Sequence, residues 1–325
     1  MTETKELGVK KPSENVTLVE KIKEDFRSLK SQFRRASRSR RDFSDVIFKF
    51  GLGVVSLIVI LPFFLVLYQV VSNGAEIIFS SEPGRGIEFF TTNPGPGQAL
   101  GIRNSIVGTL WLVIVAGSIG IPLSVFGAIF ITEYLAPGTL RNIIEFAADI
   151  LAGIPSIVFG AFGMAFIVDF LHIGRGLFTG GATLAFMMIP TVLRTTQEAL
   201  RAVPVSLREA SLALGATKWS TTWNVTIRAA FPGIITGILL AIGRIMGETA
   251  PLILTSGYSL FEPKGLFGPE SWVASMPYTI YLYIINPNAV LQAKAYGTAL
   301  ALMMIVLAID VIANVLSRKL TRRVV

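Results

Sequence analysis

Six stretches of the chain stay apolar over roughly the length that crosses a ~30 Å hydrocarbon core, about 20 helical residues each. They are residues 46–71, 105–131, 143–168, 177–192, 231–256 and 295–316, and they predict six transmembrane helices. The fourth is the shortest and borrows residues beyond Pro190. Ahead of the first, Leu18, Ile22, Phe26, Leu29 and Phe33 recur at steps of three and four. That spacing predicts an amphipathic helix over 17–35, lying on a membrane surface. A solvated tail is the competing reading of so charged a segment. Between the fifth and sixth stretches, residues 277–285 predict a short helix at headgroup depth, carrying Tyr278, Tyr281 and Tyr283.

Composition turns this pattern into a class. With 52% hydrophobic residues, 15% charged residues and a mean hydropathy of +0.63, the chain is too apolar for an ordinary soluble domain. An all-α integral membrane protein is expected, with a basic tail over 1–46 and a six-helix membrane domain over 47–325. The charged tail is not expected to be a cleavable signal.

Charge then gives orientation. The tail, the turn at Arg141, the loop 194–228 and the end from Arg318 to Arg323 hold most of the lysine and arginine. By the positive-inside rule these face the cytoplasm, placing both termini inside a multi-pass protein of the cell membrane. On the other side Glu76, Glu82, Glu88, Glu262 and Glu270 offset the few bases. The net charge of +8 is spread over tails and alternate loops without a stripe beside stacking aromatics, so no nucleic-acid partner is expected. There is no cysteine and one histidine, His172, which argues against disulfides, thiolate chemistry and a histidine-based metal site.

Two ionisable residues stand inside the fifth stretch, Arg244 and Glu248, 13 and 17 residues from its start. Each costs about 2.5–3.5 kcal/mol at the centre of a spanning helix even on lenient scales, so a use is expected. One reading is a self-neutralising ion pair one helical turn apart. The other is a solute pathway in which the guanidinium fork holds a passing oxyanion. Arg194, where the fourth stretch meets the cytoplasm, reads by itself as a positive-inside anchor. Glu145 and Asp149, one turn apart, read as packing or gating residues. Pro155 with Gly153, Gly160 and Gly163 loosens the third stretch and lets another backbone approach, while Pro251 frees a carbonyl near Gly247 in the fifth.

The loop 194–228 contains a helix-forming run, Arg208 to Leu214, stopped by Gly215, a residue suited to a left-handed cap. A short helix outside the membrane is a contact surface. Glu209-Ala210-Ser211, three residues, Gly215, nine residues and then Val225-Thr226-Ile227 resemble the Glu-Ala-Ala loop of ATP-binding-cassette importer permeases. One departure stands out: the usual Leu-Pro ending is Ile227-Arg228, which is similar to phosphate-importer permeases. The resemblance extends over about 101–325. Its further carriers are Asn104 to Leu110, Gly153 to Gly160, Arg194 to Leu200 and Gly243 to Leu252, which look like the permease of the phosphate-specific (Pst) importer, A-type rather than C-type.

The resemblance implies the MetI-like fold of type I importer permeases. It implies that Glu209, Ala210 and Gly215 form a coupling helix seated on an ATPase, and that Arg194 is linked to phosphate passage, beside Arg244 and Glu248 on the expected pathway. The implied partners are a C-type permease in a heterodimer, ATPase subunits, an extracytoplasmic phosphate-binding protein and membrane lipid. No cofactor is expected on this chain, because ATP and Mg belong to the ATPase. Without a Gly-Lys pair there is no P-loop, and the chain is not expected to be an enzyme. The rivals are a permease of the same kind for another oxyanion or an organic solute, and an ion-coupled secondary transporter, which should show inverted repeats.

Overall fold

The computed structural model describes residues 14–95 and 101–324, and all regular structure among them is helical. The chain forms two compact units, Met1–Leu67 and Tyr68–Val325. The described part of the first lies within one helix, α1 (Glu14–Ile78). The expected amphipathic segment 17–35 is helical, and the face it presents lies outside the described residues. From Phe48 onward α1 carries exposed apolar side chains such as Phe50, Phe63 and Phe64, as a spanning helix does.

The second unit contains α2 (Ile87–Thr91), α3 (Arg103–Ile129), α4 (Thr139–Gly153), α5 (Ser156–Gly163), α6 (Leu177–Arg201), α7 (Val205–Ala213), α8 (Lys218–Thr221), α9 (Ile227–Met246), α10 (Ala250–Thr255), α11 (Met276–Ile284) and α12 (Ala289–Val324). π-Helical turns at Phe130–Tyr134, Met164–Phe170 and Thr222–Thr226 extend α3, extend α5 and lead into α9. The main core lies where α3, α6 and α9 meet, with Leu112, Ala116, Leu184, Met188, Ala241 and Ile245 buried together. A second core joins Ile77, Phe89, Ile102, Met276 and Leu300 at the end of the bundle that holds α2 and α11. Ser275 caps α11 by accepting from the Tyr278 amide, so the expected helix at 277–285 starts one residue earlier and ends one earlier.

Among the described residues, five helical segments are long and apolar enough to cross a membrane, or six if α4 and α5 count as one. That pair departs from the continuous third helix expected over 143–168. It bends by 101° at Ile154-Pro155. Pro155 has no N–H to give α4 and forces the residue before it out of helical geometry; Ile154 is extended, at φ −72° and ψ 132°. The fourth helix runs through Pro190 to Arg201, so the expected loop 194–228 begins as two further turns of α6. The fifth breaks too: α9 ends at Met246 and α10 starts at Ala250, where one helix over 231–256 was expected.

Both breaks serve packing. α5 lies on α10 so closely that a Cβ at Gly160 would stand 2.7 Å from the Pro251 Cα, a contact that only glycine permits.

Candidate functional site

At one end of the bundle Pro204 follows α6 with ψ 136° and opens α7. This nine-residue helix buries none of its side chains. Glu209 and Ala210 are exposed on it, as are Leu207, Leu212 and Leu214, the last at 90%. Gly215 ends it at φ +84° with no atom within 4 Å of an added Cβ, so glycine is favoured there for its backbone and not for space. Carbonyls left by the last turn are taken up by amides of Leu214, Gly215 and Ala216, which bond Ala210, Leu212 and Ser211 at 3.1, 3.0 and 3.2 Å.

So short a helix is marginal alone, since isolated helices under about 12–15 residues are barely stable. It is held from outside. The Arg208 guanidinium donates to the carbonyls of Val203 at 2.8 Å and Leu200 at 2.7 Å, and to Glu133 Oε1 at 2.9 Å. Ser211 and Thr221 hydroxyls bond at 2.9 Å. Sequence reasoning missed both Arg208 and Glu133 as working residues. The adjacency of Arg208 to Glu209 was a signal for the first, and an acid at the end of the second apolar stretch was a signal for the second.

Arg194 sits inside α6 and is bonded to Asp149 of α4. Two turns further along α6, Arg201 reaches Glu145 at 2.6 Å, and Arg141 reaches the same carboxylate at 3.0 Å. These bases and acids clasp α4 to α6. Arg194 is thus placed with Asp149 and not joined to Arg244 or Glu248.

Arg244 lies in the last turn of α9 with its side chain exposed. Glu248 is not on that helix. Gly247 caps α9, its amide bonding Arg244 O at 3.2 Å, and the Glu248 amide bonds Ile245 O at 3.2 Å, so Glu248 stands in the joint before α10. The expected placement of the two on one helical face is therefore corrected. Among the described residues they form no ion pair with each other or with any other group. A third charge, unnoticed in the sequence, stands close by: a Cβ on Gly243 would lie 3.3 Å from Asp310 Oδ1 of α12.

The opposite end carries a hydroxyl network. Tyr258 donates to the Tyr283 hydroxyl at 2.9 Å, and Ser105 and Thr279 hydroxyls bond at 2.7 Å. Burial pushes the Tyr258 and Tyr283 phenols above their usual pKa. Lys294 of α12 is buried, its Nζ 4.8 Å from the centre of the Tyr283 ring. No cluster of three or more potential metal-ligating side chains occurs among the described residues.

This arrangement can do two things chemically. It can offer an unpaired guanidinium at a helix break, and it can present an anchored external helix to another protein. Residues 120–324 match a family described as the binding-protein-dependent transport system inner membrane component. The chain belongs to that family. It is a membrane permease of ATP-binding-cassette importers, whose ATP hydrolysis is done by a separate ATPase. Over 256 residues it is 37% identical to the phosphate transport system permease protein PstA of Yersinia pestis, covering 78% of this chain and 83% of that one. It is 36% identical to PstA 1 of Mycobacterium tuberculosis (strain CDC 1551 / Oshkosh), covering 69% and 72%. Among solved structures it resembles a bacterial importer of the acidic polysaccharide alginate, at TM-score 0.59 and 17% identity over 86% of this chain and 99% of that one. That likeness concerns the fold, which for this permease is the MetI-like one.

Proposed function

We propose that this permease imports inorganic phosphate as one half of a heterodimeric pathway. Its partners would be a C-type permease, ATPase subunits seated on α7, and an extracytoplasmic phosphate-binding protein. The names of its PstA relatives support the cargo. The observation that carries the reading is the unpaired Arg244 at the α9–α10 joint. Phosphate with one to two negative charges faces a cost of tens of kcal/mol in a dry, low-dielectric core. A fixed guanidinium offsets part of that cost and matches two phosphate oxygens at once. Glu248, on non-helical backbone, orients the ion or trades partners with it. Arg194 contacts the ion only by exchanging it for Asp149. The positive-inside rule puts α7 in the cytoplasm, where ATP-driven motion of the ATPase rocks Glu209, Ala210 and the Gly215 turn and opens the pathway to each side alternately.

Proteoliposomes holding the assembled transporter and binding protein should take up labelled phosphate only with internal ATP. Excess unlabelled phosphate should compete, and molybdate or sulfate should not. Arg244→Gln should abolish uptake with assembly retained, and Arg244→Lys should restore part of it. Uptake driven by an ion gradient without ATP, or wild-type uptake in Arg244→Gln, would sink the reading.

A further inference from the structure

Two apolar hollows of about 370 and 320 Å³ share Phe126, Ile129 and Trp223, and so form one trough between α3 and α9. Its floor is core, with Ile129 and Ile234 buried. Along α9 it runs from Ile227 to Ile238. At ~1.5 Å per residue that is about 17 Å, close to one leaflet of a ~30 Å core. A spanning helix of a partner would need a seat about twice as long. An acyl chain of one leaflet needs no more than this.

The end of the trough nearest α7 changes character. Trp219 and Trp223 stand with ring centres 5.3 Å apart, Tyr134 lies 6.5 Å from Trp219, and Lys218 Nζ is 5.3 Å from the centre of the Tyr134 ring. Amphipathic aromatics of this kind mark headgroup depth. The ammonium of Lys218, exposed beside these rings, calls for negative charge. A phosphodiester oxygen at the top of an acyl chain supplies it.

We propose that the α3–α9 trough holds one phospholipid with an anionic headgroup. Its chain lies against Phe126 and Ile234, and its headgroup lies at Lys218. The headgroup end adjoins α8, whose Thr221 bonds Ser211 of α7, so the lipid braces the same segment that anchors the external helix. This inference does not rest on the identity of the cargo.

A photo-crosslinking residue introduced at Ile235, which lines the trough, reports the occupant directly. The assembled transporter would be irradiated in nanodiscs of equal phosphatidylglycerol and phosphatidylcholine, and the adduct identified by mass spectrometry. The expected adduct is phosphatidylglycerol in about fivefold excess, the equivalent of ~1 kcal/mol for one lysine near an anionic surface. Lys218→Gln should bring the two lipids to parity. Adducts in the bulk lipid ratio, an excess that persists in Lys218→Gln, or attachment to a protein chain would each overturn the proposal.

Discussion

Arg208→Ala should loosen the external helix while leaving the membrane core intact. α7 buries no side chain, so its order depends on what ties it to the bundle. Arg208 makes three of those ties, to Val203 O, Leu200 O and Glu133, with its side chain 19% exposed and that of Glu133 9% exposed. Hydrogen bonds to charged groups contribute about 1.5–3 kcal/mol each, and removing one partner of a buried pair costs about 3–5 kcal/mol. Discounting for partial exposure leaves roughly 2–4 kcal/mol of local stability. At ~1.36 kcal/mol per tenfold, amides of 205–214 should exchange with deuterium roughly thirty- to nine-hundredfold faster, provided they exchange by local opening. Amides of α3 and the membrane part of α6 should not change. With the ATPase seated on α7 as proposed, uptake should fall as well. Arg208→Ala with Glu133→Gln removes the stranded carboxylate and should recover part of the loss. Unchanged exchange in 205–214 for the single variant, or no recovery in the double one, would refute the anchoring role.

Gly215→Val should impair ATP-driven uptake and ATPase copurification, whereas Gly215→Asn should largely preserve both. The position has open space and φ +84°, so only backbone preference separates the two. Gly160→Ala should lower the thermal midpoint of the solubilised protein, since its Cβ meets the Pro251 Cα at 2.7 Å and overpacking costs about 1–3 kcal/mol; Gly153→Ala, with nothing within 4 Å, should not lower it through packing. Tyr258 and Tyr283 have pKa values above the unfolded phenol's 10.0, so their contribution to stability is whole below about pH 10 and is lost as pH rises past it and the unfolded chain ionises. Absorbance titration at alkaline pH should show these two phenols ionising after the exposed ones, and Tyr258→Phe, which removes the hydrogen bond that lowers the Tyr283 pKa, should delay the remaining phenol.

Hydrophobic pattern located the spans well and said little about their continuity. The stretch 105–131 became α3 with its π-helical end, and 295–316 lies wholly inside α12, because an apolar run of that length has one economical fate in a bilayer. The bend at Ile154-Pro155 had a visible cause in Pro155, yet proline predicts a kink or a tolerated ring equally. Pro190, inside an unbroken α6, shows the second outcome. What separates them is packing. α5 needs to turn onto α10, while α6 is enclosed by α3 and α9 and has no such demand. The exposed helix with Glu209 and Gly215 was legible since propensity and a glycine stop are local signals. Its anchor was not, because Arg208 and Glu133 are 75 residues apart and meet only in the fold.

The joint at Gly247-Glu248-Thr249 carries the largest mechanistic consequence. Had α9 continued, Arg244 and Glu248 would have stacked at one-turn spacing, and their mutual attraction would have left little charge for a third party. Gly247 ends the helix instead and moves the carboxylate onto backbone that no longer follows the α9 axis. Among the described residues neither Arg244, at the end of an apolar helix, nor Asp310, which lies near the neighbouring Gly243, then forms an ion pair. Such a guanidinium is costly unless water or an anion reaches it. Glu248 and Asp310, held on separate elements, can approach or leave that guanidinium when α10 or α12 moves. On the proposed reading, the break in the fifth span would turn a pair that would have locked a helix into three charges whose partnership changes with conformation, as a pathway that binds an anion on one side and releases it on the other requires.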